Sequence, residues 1–244
     1  MRDIFRVAKK TIYDTGNAIS KGGIIFVILY IVAKVLFNFL NNIAGKIPIV
    51  GFFVIYLLEI LQYSLYARGL NDVTLTDKIS TSNFFVNFGS YFYNIMNTYF
   101  VIYVLRIVLG MFAHNYILRY SYTPNYMLTV AFIVEHILFS AIFEAVYIDH
   151  VGGIAAFKQN FKFLKENYLP WFILNTPYLL MQYILTLYPM DIINENLLLS
   201  AGVLVIPPFY LIFRGKMYLY LSTTNKRRRA FENEFEKINK TRTK

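Results

Sequence analysis

Six apolar stretches, each long enough to cross a lipid bilayer, constrain this 244-residue chain more than any other feature. A membrane-crossing helix needs roughly 20 mostly apolar residues to pass about 30 Å of hydrocarbon. The chain is 57% hydrophobic and 16% charged, a balance that is uncommon in soluble domains. We therefore predict an all-α, polytopic membrane protein with six transmembrane helices, at 22–42, 47–66, 91–113, 126–147, 168–188 and 197–220.

The Lys and Arg residues are distributed unevenly between the predicted loops. Eighteen of the 24 lie on one side of the membrane, with five in 1–21, two in 67–90, three in 148–167 and eight in 221–244. The opposite loops hold Lys46 and Arg119. Because short loops rich in Lys and Arg stay in the cytoplasm, we predict a multi-pass cell-membrane protein with both termini cytoplasmic. This distribution accounts for the net charge of +10 without a nucleic-acid partner.

Three cytoplasmic stretches have the pattern of helices that lie along the membrane interface, at 4–19, 79–90 and 153–167. In the clearest, 153–167, apolar residues recur at helical spacing and lysines occupy another face. The apolar residues are Ile154, Phe157, Phe161 and Leu164, and the lysines are Lys158, Lys162 and Lys165. Such a helix places its apolar face among the acyl chains and its basic face toward phosphate headgroups or a protein partner.

The chain divides into three similar parts, each an interfacial stretch followed by two spans joined by a short outer loop. Two interpretations stay open. The three parts are internal repeats, which membrane proteins commonly contain, or they reflect only that a six-span chain has three hairpins and needs basic inner loops.

The last 20 residues differ from the rest in composition. Four basic residues at 226–229 directly follow span six. A cluster of this kind is attracted to anionic lipid by about 1 kcal/mol per basic residue near the surface. We predict a transmembrane domain over 1–224 and a basic cytoplasmic tail over 225–244 that contacts anionic lipid. The alternative is a stop-transfer cluster with a frayed end.

Two short motifs connect the chain with a known group of proteins. One contains Tyr147, Asp149, Gly153, Ala156, Phe157, Lys158 and Asn167, and the other contains Tyr66, Ala67, Arg68 and Gly69. In these motifs the chain resembles a superfamily of bacterial six-helix integral membrane proteins of unknown function, which includes the membrane domain fused to some glycerophosphodiester phosphodiesterases. The resemblance implies a six-helix all-α bundle. It supplies no catalytic residues.

Charged side chains inside the predicted spans indicate which helix faces lie in the bundle interior, because such groups are costly in lipid. The five that we single out are Lys34, Glu59, Arg106, Glu135 and Glu144. At about 1.5 Å per residue, Arg106 and Glu135 lie roughly 10 to 14 Å from the outer ends of adjacent spans, so we predict that they pair. Lys34 and Glu59 are predicted to pair in the same way.

Span four is the most polar of the six. His136, Ser140 and Glu144 recur every four residues and therefore share one helix face. Two interpretations stay open. A histidine and a desolvated carboxylate that titrate near neutral pH suit a transporter coupled to protons or cations. Interhelical hydrogen bonds and neutralised pairs suit a network that only holds the helices together.

The sequence lacks the motifs that identify an enzyme. It has no Gly-rich phosphate loop, no Ser elbow and no cysteine, and its three histidines fall at different depths. We therefore expect no catalytic residue, no cofactor and no metal. The favoured function is a transporter-like protein or a membrane-embedded partner subunit, with lipid and a protein as partners. The alternatives are a permease subunit driven by a separate ATPase and, less favoured, an intramembrane lipid enzyme that uses Glu144, His136 and Asp149.

The topology predicted from the distribution of Lys and Arg can be tested by cysteine labelling. Single cysteines introduced after Asn42, Tyr122 and Glu195 should react with a membrane-impermeant thiol reagent added outside the cell, because all three positions lie in predicted outer loops. Cysteines in 1–21 and 148–167 should react only after the membrane is permeabilised. A cytoplasmic location for any one of the three outer sites would contradict the six-span topology.

Overall fold

A computed structural model of the chain describes residues 2–47, 50–80, 88–120, 137–187, 197–224 and 229. The helices are α1 (Arg2–Ala18), a π turn (Ile19–Gly23), α2 (Ile24–Ala44), α3 (Val50–Thr76), α4 (Phe88–Tyr120), α5 (Ile142–Ile148), α6 (Ile154–Leu187) and α7 (Leu197–Thr223). No strand occurs among the described residues. The predicted all-α class is therefore confirmed.

The chain folds into two compact units, each made from separate segments of sequence. Unit 1 comprises Met1–Phe39, Gly69–Ser82 and Phe163–Lys244, and unit 2 comprises Leu40–Arg68 and Asn83–Lys162. Helices α1 and α7 belong wholly to unit 1, and α4 and α5 belong wholly to unit 2.

The C-terminal part of α3 is buried within unit 1 over residues 69–74. A Cβ at Gly69 would lie 2.8 Å from the ring of Phe26, so α3 and α2 approach each other closely only because this residue is glycine. On another side, the rings of Phe163 in α6 and Tyr218 in α7 stack with centroids 4.3 Å apart. Helix α1 packs along α7. The predicted loop that follows residue 66 is in fact helical to Thr76 and buried through Thr74.

The break between α1 and α2 depends on Gly22. Its φ of 151° lies in a region that residues with a Cβ rarely adopt. The π turn that contains it ends one helix and begins the next, with Gly22 lying against the backbone of Asp77 and Lys78. The separate N-terminal helix predicted over 4–19 is therefore confirmed as a helix.

Unit 2 has a small apolar core in which Ile102 of α4, Ile142 of α5 and Phe157 of α6 are buried together. Polar contacts connect the same helices. The Thr98 hydroxyl accepts a hydrogen bond from the backbone N–H of Gly153 at 2.9 Å. These contacts hold the start of α6 against α4.

Predicted span four is not one continuous helix in its described part. A turn at 139–141 interrupts it, and α5 begins only at Ile142. The physical reason is Asn160, which is fully buried. Its amide donates to the carbonyl of Leu138 at 2.6 Å and its oxygen accepts from the N–H of Ala141 at 3.0 Å, so the interrupted backbone keeps its hydrogen bonds. Residues 126–136 lie outside the described residues.

Predicted span five and the interfacial stretch 153–167 form one helix, α6, which corrects the prediction of two separate elements. The helix runs without a break across the junction at residues 167 and 168, and it continues through Pro170 and Pro177. The four apolar residues predicted to share one lipid-facing surface are divided: Phe157 and Leu164 are buried within the protein, whereas Ile154 and Phe161 are exposed. Of the stretch 79–90, Ile79 and Ser80 are not helical, and 81–87 lie outside the described residues.

The apolar composition needed to cross a membrane is met by one described helical stretch, Asp3–Ala44, whose most apolar 18-residue window has a mean hydropathy of 2.4. The finding rests on length and composition alone. The six-span architecture and the threefold hairpin pattern stay predictions.

The Gly22 conformation predicts opposite effects for two glycine substitutions in the same region. Gly22→Ala should lower the free energy of unfolding by roughly 1–3 kcal/mol, because the Ala Cβ is strained at φ 151°. Gly16→Ala should raise it by about 0.5–1 kcal/mol, since Gly16 is inside α1 with nothing within 4 Å of a Cβ. Thermal unfolding in detergent measures both, and an unchanged midpoint for Gly22→Ala would contradict the kink.

Candidate functional site

Three charged side chains of unit 1 meet at Asp77, directly after the C-terminus of α3. Its carboxylate accepts Lys216 Nζ of α7 at 2.5 Å and Lys21 Nζ of the π turn at 3.1 Å. Lys216 Nζ also donates to the carbonyl of Thr74 at 2.7 Å. Asp77 has a φ of 62°, which aspartate tolerates better than most residues, so it ends α3 as well as carrying the charge.

These contacts determine the charge state of Asp77. Burial of the carboxyl raises its pKa, but the hydrogen bonds from Lys216 and Lys21 outweigh burial, and the pKa of Asp77 stays below its ordinary value. The side chain of Lys216 is 9% exposed and that of Lys21 is 56% exposed. Lys216 is therefore a nearly buried cation that depends on Asp77, whereas Lys21 is partly solvated.

A cavity of about 320 Å³ opens beside this cluster. Three helix ends form it, and its lining residues are Asp14, Asn17, Thr74, Leu75, Asp77, Lys216, Leu219, Tyr220 and Thr223. Asp14 accepts a hydrogen bond from Lys10 at 2.8 Å, and this bond raises the pKa of Lys10. The cavity therefore has two carboxylates, of Asp14 and Asp77, and one ammonium group, of Lys216, at its wall.

A second buried charge in unit 1 lies in the tail. The Arg229 side chain is 1% exposed and donates to Asp3 of α1 and to Asn167 of α6, each at 3.2 Å, and to the carbonyl of Thr224. In return its carbonyl accepts Arg6 at 3.3 Å. The guanidinium of Arg229 is thus used inside the protein, and the predicted contact of the basic tail with anionic lipid stays a prediction. The remainder of the tail cluster lies outside the described residues.

No protein-family model, curated protein or solved structure matches this chain. The resemblance to the six-helix bacterial superfamily therefore stays a prediction, and function is argued from the residues of this chain.

The predicted intramembrane network is described only in part. Lys34 is half-buried on α2 and Glu59 is exposed on α3; they belong to different units, and their pairing stays a prediction. Arg106 lies within α4, but its side chain is outside the described part of the structure, as are Glu135 and His136 altogether. The predicted pairing of Arg106 with Glu135 also stays a prediction.

The helix predicted for span four is interrupted between Ser140 and Glu144. The turn at 139–141 places Ser140 before α5, where its hydroxyl donates to the carbonyl of Ile137 at 3.3 Å. Glu144 lies in the first turn of α5 and is fully buried. The common face predicted for His136, Ser140 and Glu144 assumes an unbroken helix and stays a prediction.

The predicted basic face of α6 is exposed. Lys158, Lys162 and Lys165 all point away from the buried face, which is formed by Ala156, Phe157, Asn160, Phe163, Leu164, Asn167 and Trp171. At about 100° per residue, the lysines lie within roughly 60° of one another. Phe161 and Ile154 lie beside them and are exposed as well.

Sequence reasoning missed Lys216 and Asp77, although a signal was present. Lys216 falls inside predicted span six, and a basic residue there requires an acidic partner. The carboxylates of the predicted inner loop 67–90 are Asp72 and Asp77. The missed point was that α3 continues beyond residue 66 and brings Asp77 to that partner.

The contacts of Asp77 predict a pH-dependent stability. Because the pKa of Asp77 is lowered in the folded protein, its stabilisation is fully present above about pH 4 and is lost as the pH falls through the folded value. Asp77→Asn should therefore cost roughly 3 kcal/mol at pH 7, and the difference from wild type should shrink toward pH 3. Asp14→Asn, which affects an ion pair with the more exposed Lys10, should cost about 0.5 kcal/mol. Equal effects of the two substitutions in thermal unfolding would contradict the assignment.

Proposed function

We propose that this chain is a polytopic integral membrane protein with six spans and both termini cytoplasmic, and that it acts without catalysis as a membrane-embedded partner subunit or transporter-like protein. The observation that carries the proposal is the exposed apolar face of α2. Large apolar side chains that are 47–61% exposed follow one another along the whole helix, and they are Ile24, Ile25, Ile28, Val32, Val35, Leu36, Phe39 and Ile43.

The length of this face supports lipid as its surroundings. From residue 24 to residue 43 a helix rises about 28 Å, close to the thickness of the hydrocarbon core of a bilayer. A water-exposed patch of this size is unusual for a soluble monomer, because each exposed apolar side chain is costly in water. In lipid the same side chains need no protein partner.

Apolar side chains are also exposed, and polar side chains buried, on other helices. Phe53 of α3, Phe100 of α4 and Leu180 of α6 are 55–65% exposed, whereas Gln62, Ser64 and Thr98 are buried. Ser64 and Thr98 donate to carbonyls one turn earlier, so their polar atoms are satisfied within their own helices. Apolar residues outside and satisfied polar residues inside are what a multi-span protein requires. This pattern supports the six-span proposal beyond α2 alone.

The choice of partner subunit over enzyme rests on how the polar groups are used. Asp149, one of the three residues of the lipid-enzyme alternative, accepts the side-chain amide of Gln159 at 2.8 Å and so holds α6 in place. The exposed lysines of α6 instead offer a surface on the cytoplasmic side for headgroups or for a protein. In the permease alternative the same surface would contact a separate ATPase.

Spin labelling tests the lipid environment of α2. The chain has no cysteine, so single substitutions such as Ile28→Cys, Val32→Cys and Phe39→Cys need no altered background. In reconstituted protein, labels at these exposed positions should collide more often with oxygen than with a polar nickel chelate, with the greatest excess of oxygen at mid-helix. Phe26→Cys and Ala33→Cys, at buried positions of the same helix, are the matched controls and should be shielded from both reagents.

A higher accessibility to the nickel chelate at Val32, near the middle of the helix, would show water there. That result would rule out α2 as a span and remove the main support for the proposal.

A further inference from the structure

The cavity beside Asp77 contains opposite charges at short range. Asp14 and Asp77 supply carboxylates, Lys216 supplies an ammonium group in the lining, and Lys10 and Lys21 are bonded to the same two carboxylates. These three cations and two anions leave a small net positive charge. A ligand with a single charge would face groups of its own sign, which is unfavourable at close range.

We propose that this cavity binds a small zwitterion with a primary ammonium group and a phosphate, the chemistry of phosphoethanolamine. The ammonium bonds to the carboxylates of Asp14 and Asp77, and the phosphate lies toward Lys216, the one lysine in the described lining. The group comes either from the headgroup of a phospholipid or from a free molecule. The lipid source rests on the proposed membrane function, and the free source does not.

Hydrogen-bonding capacity around the cavity is sufficient for both ends of such a ligand. A carboxylate accepts at roughly four lone-pair sites, and the described contacts occupy one at Asp14 and two at Asp77. Lys216 has three N–H donors, and the described contacts use two of them. An ammonium group and an oxyanion can therefore be added without breaking the contacts that hold the helices.

Thr74 is an independent sign of an unfilled polar site. It lines the cavity and is 1% exposed, and its hydroxyl has no hydrogen-bond partner among the described residues. Buried hydroxyls are normally bonded, because an unbonded one costs about 1–3 kcal/mol. Turned toward the cavity, this hydroxyl would find its missing acceptor in a phosphate oxygen.

Size and position agree with a headgroup. The cavity volume of about 320 Å³ is at the lower end of ligand pockets, which measure roughly 300–1,000 Å³, so it admits a headgroup but not acyl chains. Its lining residues lie at the C-terminal ends of α1, α3 and α7. In the proposed topology these ends are all on the cytoplasmic side, next to the headgroup layer.

Two substitutions change the cavity while leaving the other contacts of unit 1 in place. Asp14→Asn removes a carboxylate whose ion pair with Lys10 is partly exposed, and Asn17→Phe fills the space with an aromatic ring. Glu166→Gln removes a carboxylate from the exposed side of α6, away from the cavity, and is the matched control. Circular dichroism and the thermal midpoint identify any variant that fails to fold.

The experiment uses the full chain in nanodiscs of phosphatidylcholine with either phosphatidylethanolamine or phosphatidylglycerol, and native mass spectrometry reads the retained lipid. Soluble phosphoethanolamine is titrated separately into detergent-purified protein with a thermal-shift readout. We expect at least tenfold preference for the ethanolamine headgroup over both other lipids, because the choline nitrogen has no N–H donor and the glycerol headgroup has no amine. Asp14→Asn and Asn17→Phe should each reduce the preference at least tenfold, and Glu166→Gln should preserve it.

Each result decides between the sources or against the site. If phosphatidylethanolamine is retained selectively but soluble phosphoethanolamine gives no thermal shift, the ligand is a lipid headgroup. If soluble phosphoethanolamine gives a shift without selective lipid retention, the ligand is a free molecule. Either result supports binding in the cavity if the two variants abolish it. Equal retention of all three lipids with no soluble shift overturns the proposal, and so does selectivity that survives in folded variants. If neither variant folds, the preference of the wild-type protein among the three lipids and its response to soluble phosphoethanolamine decide the proposal. Failure here leaves the spin-label result on α2 unchanged, so it is distinguishable from failure of the membrane proposal.

Discussion

The nearly buried ammonium group of Lys216 constrains the whole of unit 1. A cation removed from water is tolerated only where oxygen atoms surround it, and here they come from Asp77 and from the Thr74 carbonyl. Both acceptors lie at the end of α3, so α7 has little freedom to slide along α3. Because Asp77 also binds Lys21, the same carboxylate fixes where α1 ends and α2 begins. One ion cluster thus sets the relative position of three helix ends.

Asparagines on the buried face of α6 have a comparable role for the backbone. Asn160 satisfies both sides of the interruption before α5, and Asn167 accepts the guanidinium of Arg229. Asn175 donates to the carbonyl of Trp171 at 2.7 Å and its oxygen accepts the hydroxyl of Tyr210 on α7. An amide can donate and accept at once, so it joins irregular backbone to helix without adding a charge. Each asparagine acts within its own unit.

The positions of most helices follow from the sequence because apolar composition changes sharply at their ends. The same composition does not indicate which helices break. Asn160 is 19 residues from the N–H that it binds, so the turn at 139–141 has no local signal. Likewise, the basic tail was interpreted from its charge alone, whereas the burial of Arg229 depends on Asp3, 226 residues away. Local periodicity specifies helices, and long-range polar contacts specify where helices stop and which charges are used internally.

The bond between Arg229 and Asp3 has a consequence for the order of assembly during synthesis. Unit 2 has all of its residues once position 162 has left the ribosome, whereas unit 1 waits for Arg229. At roughly 5–20 residues per second, Asp3 is translated about 10–45 s before its partner. During that interval the N-terminal helix exists without its contact to Arg229, and it stays available to chaperones or to the insertion machinery.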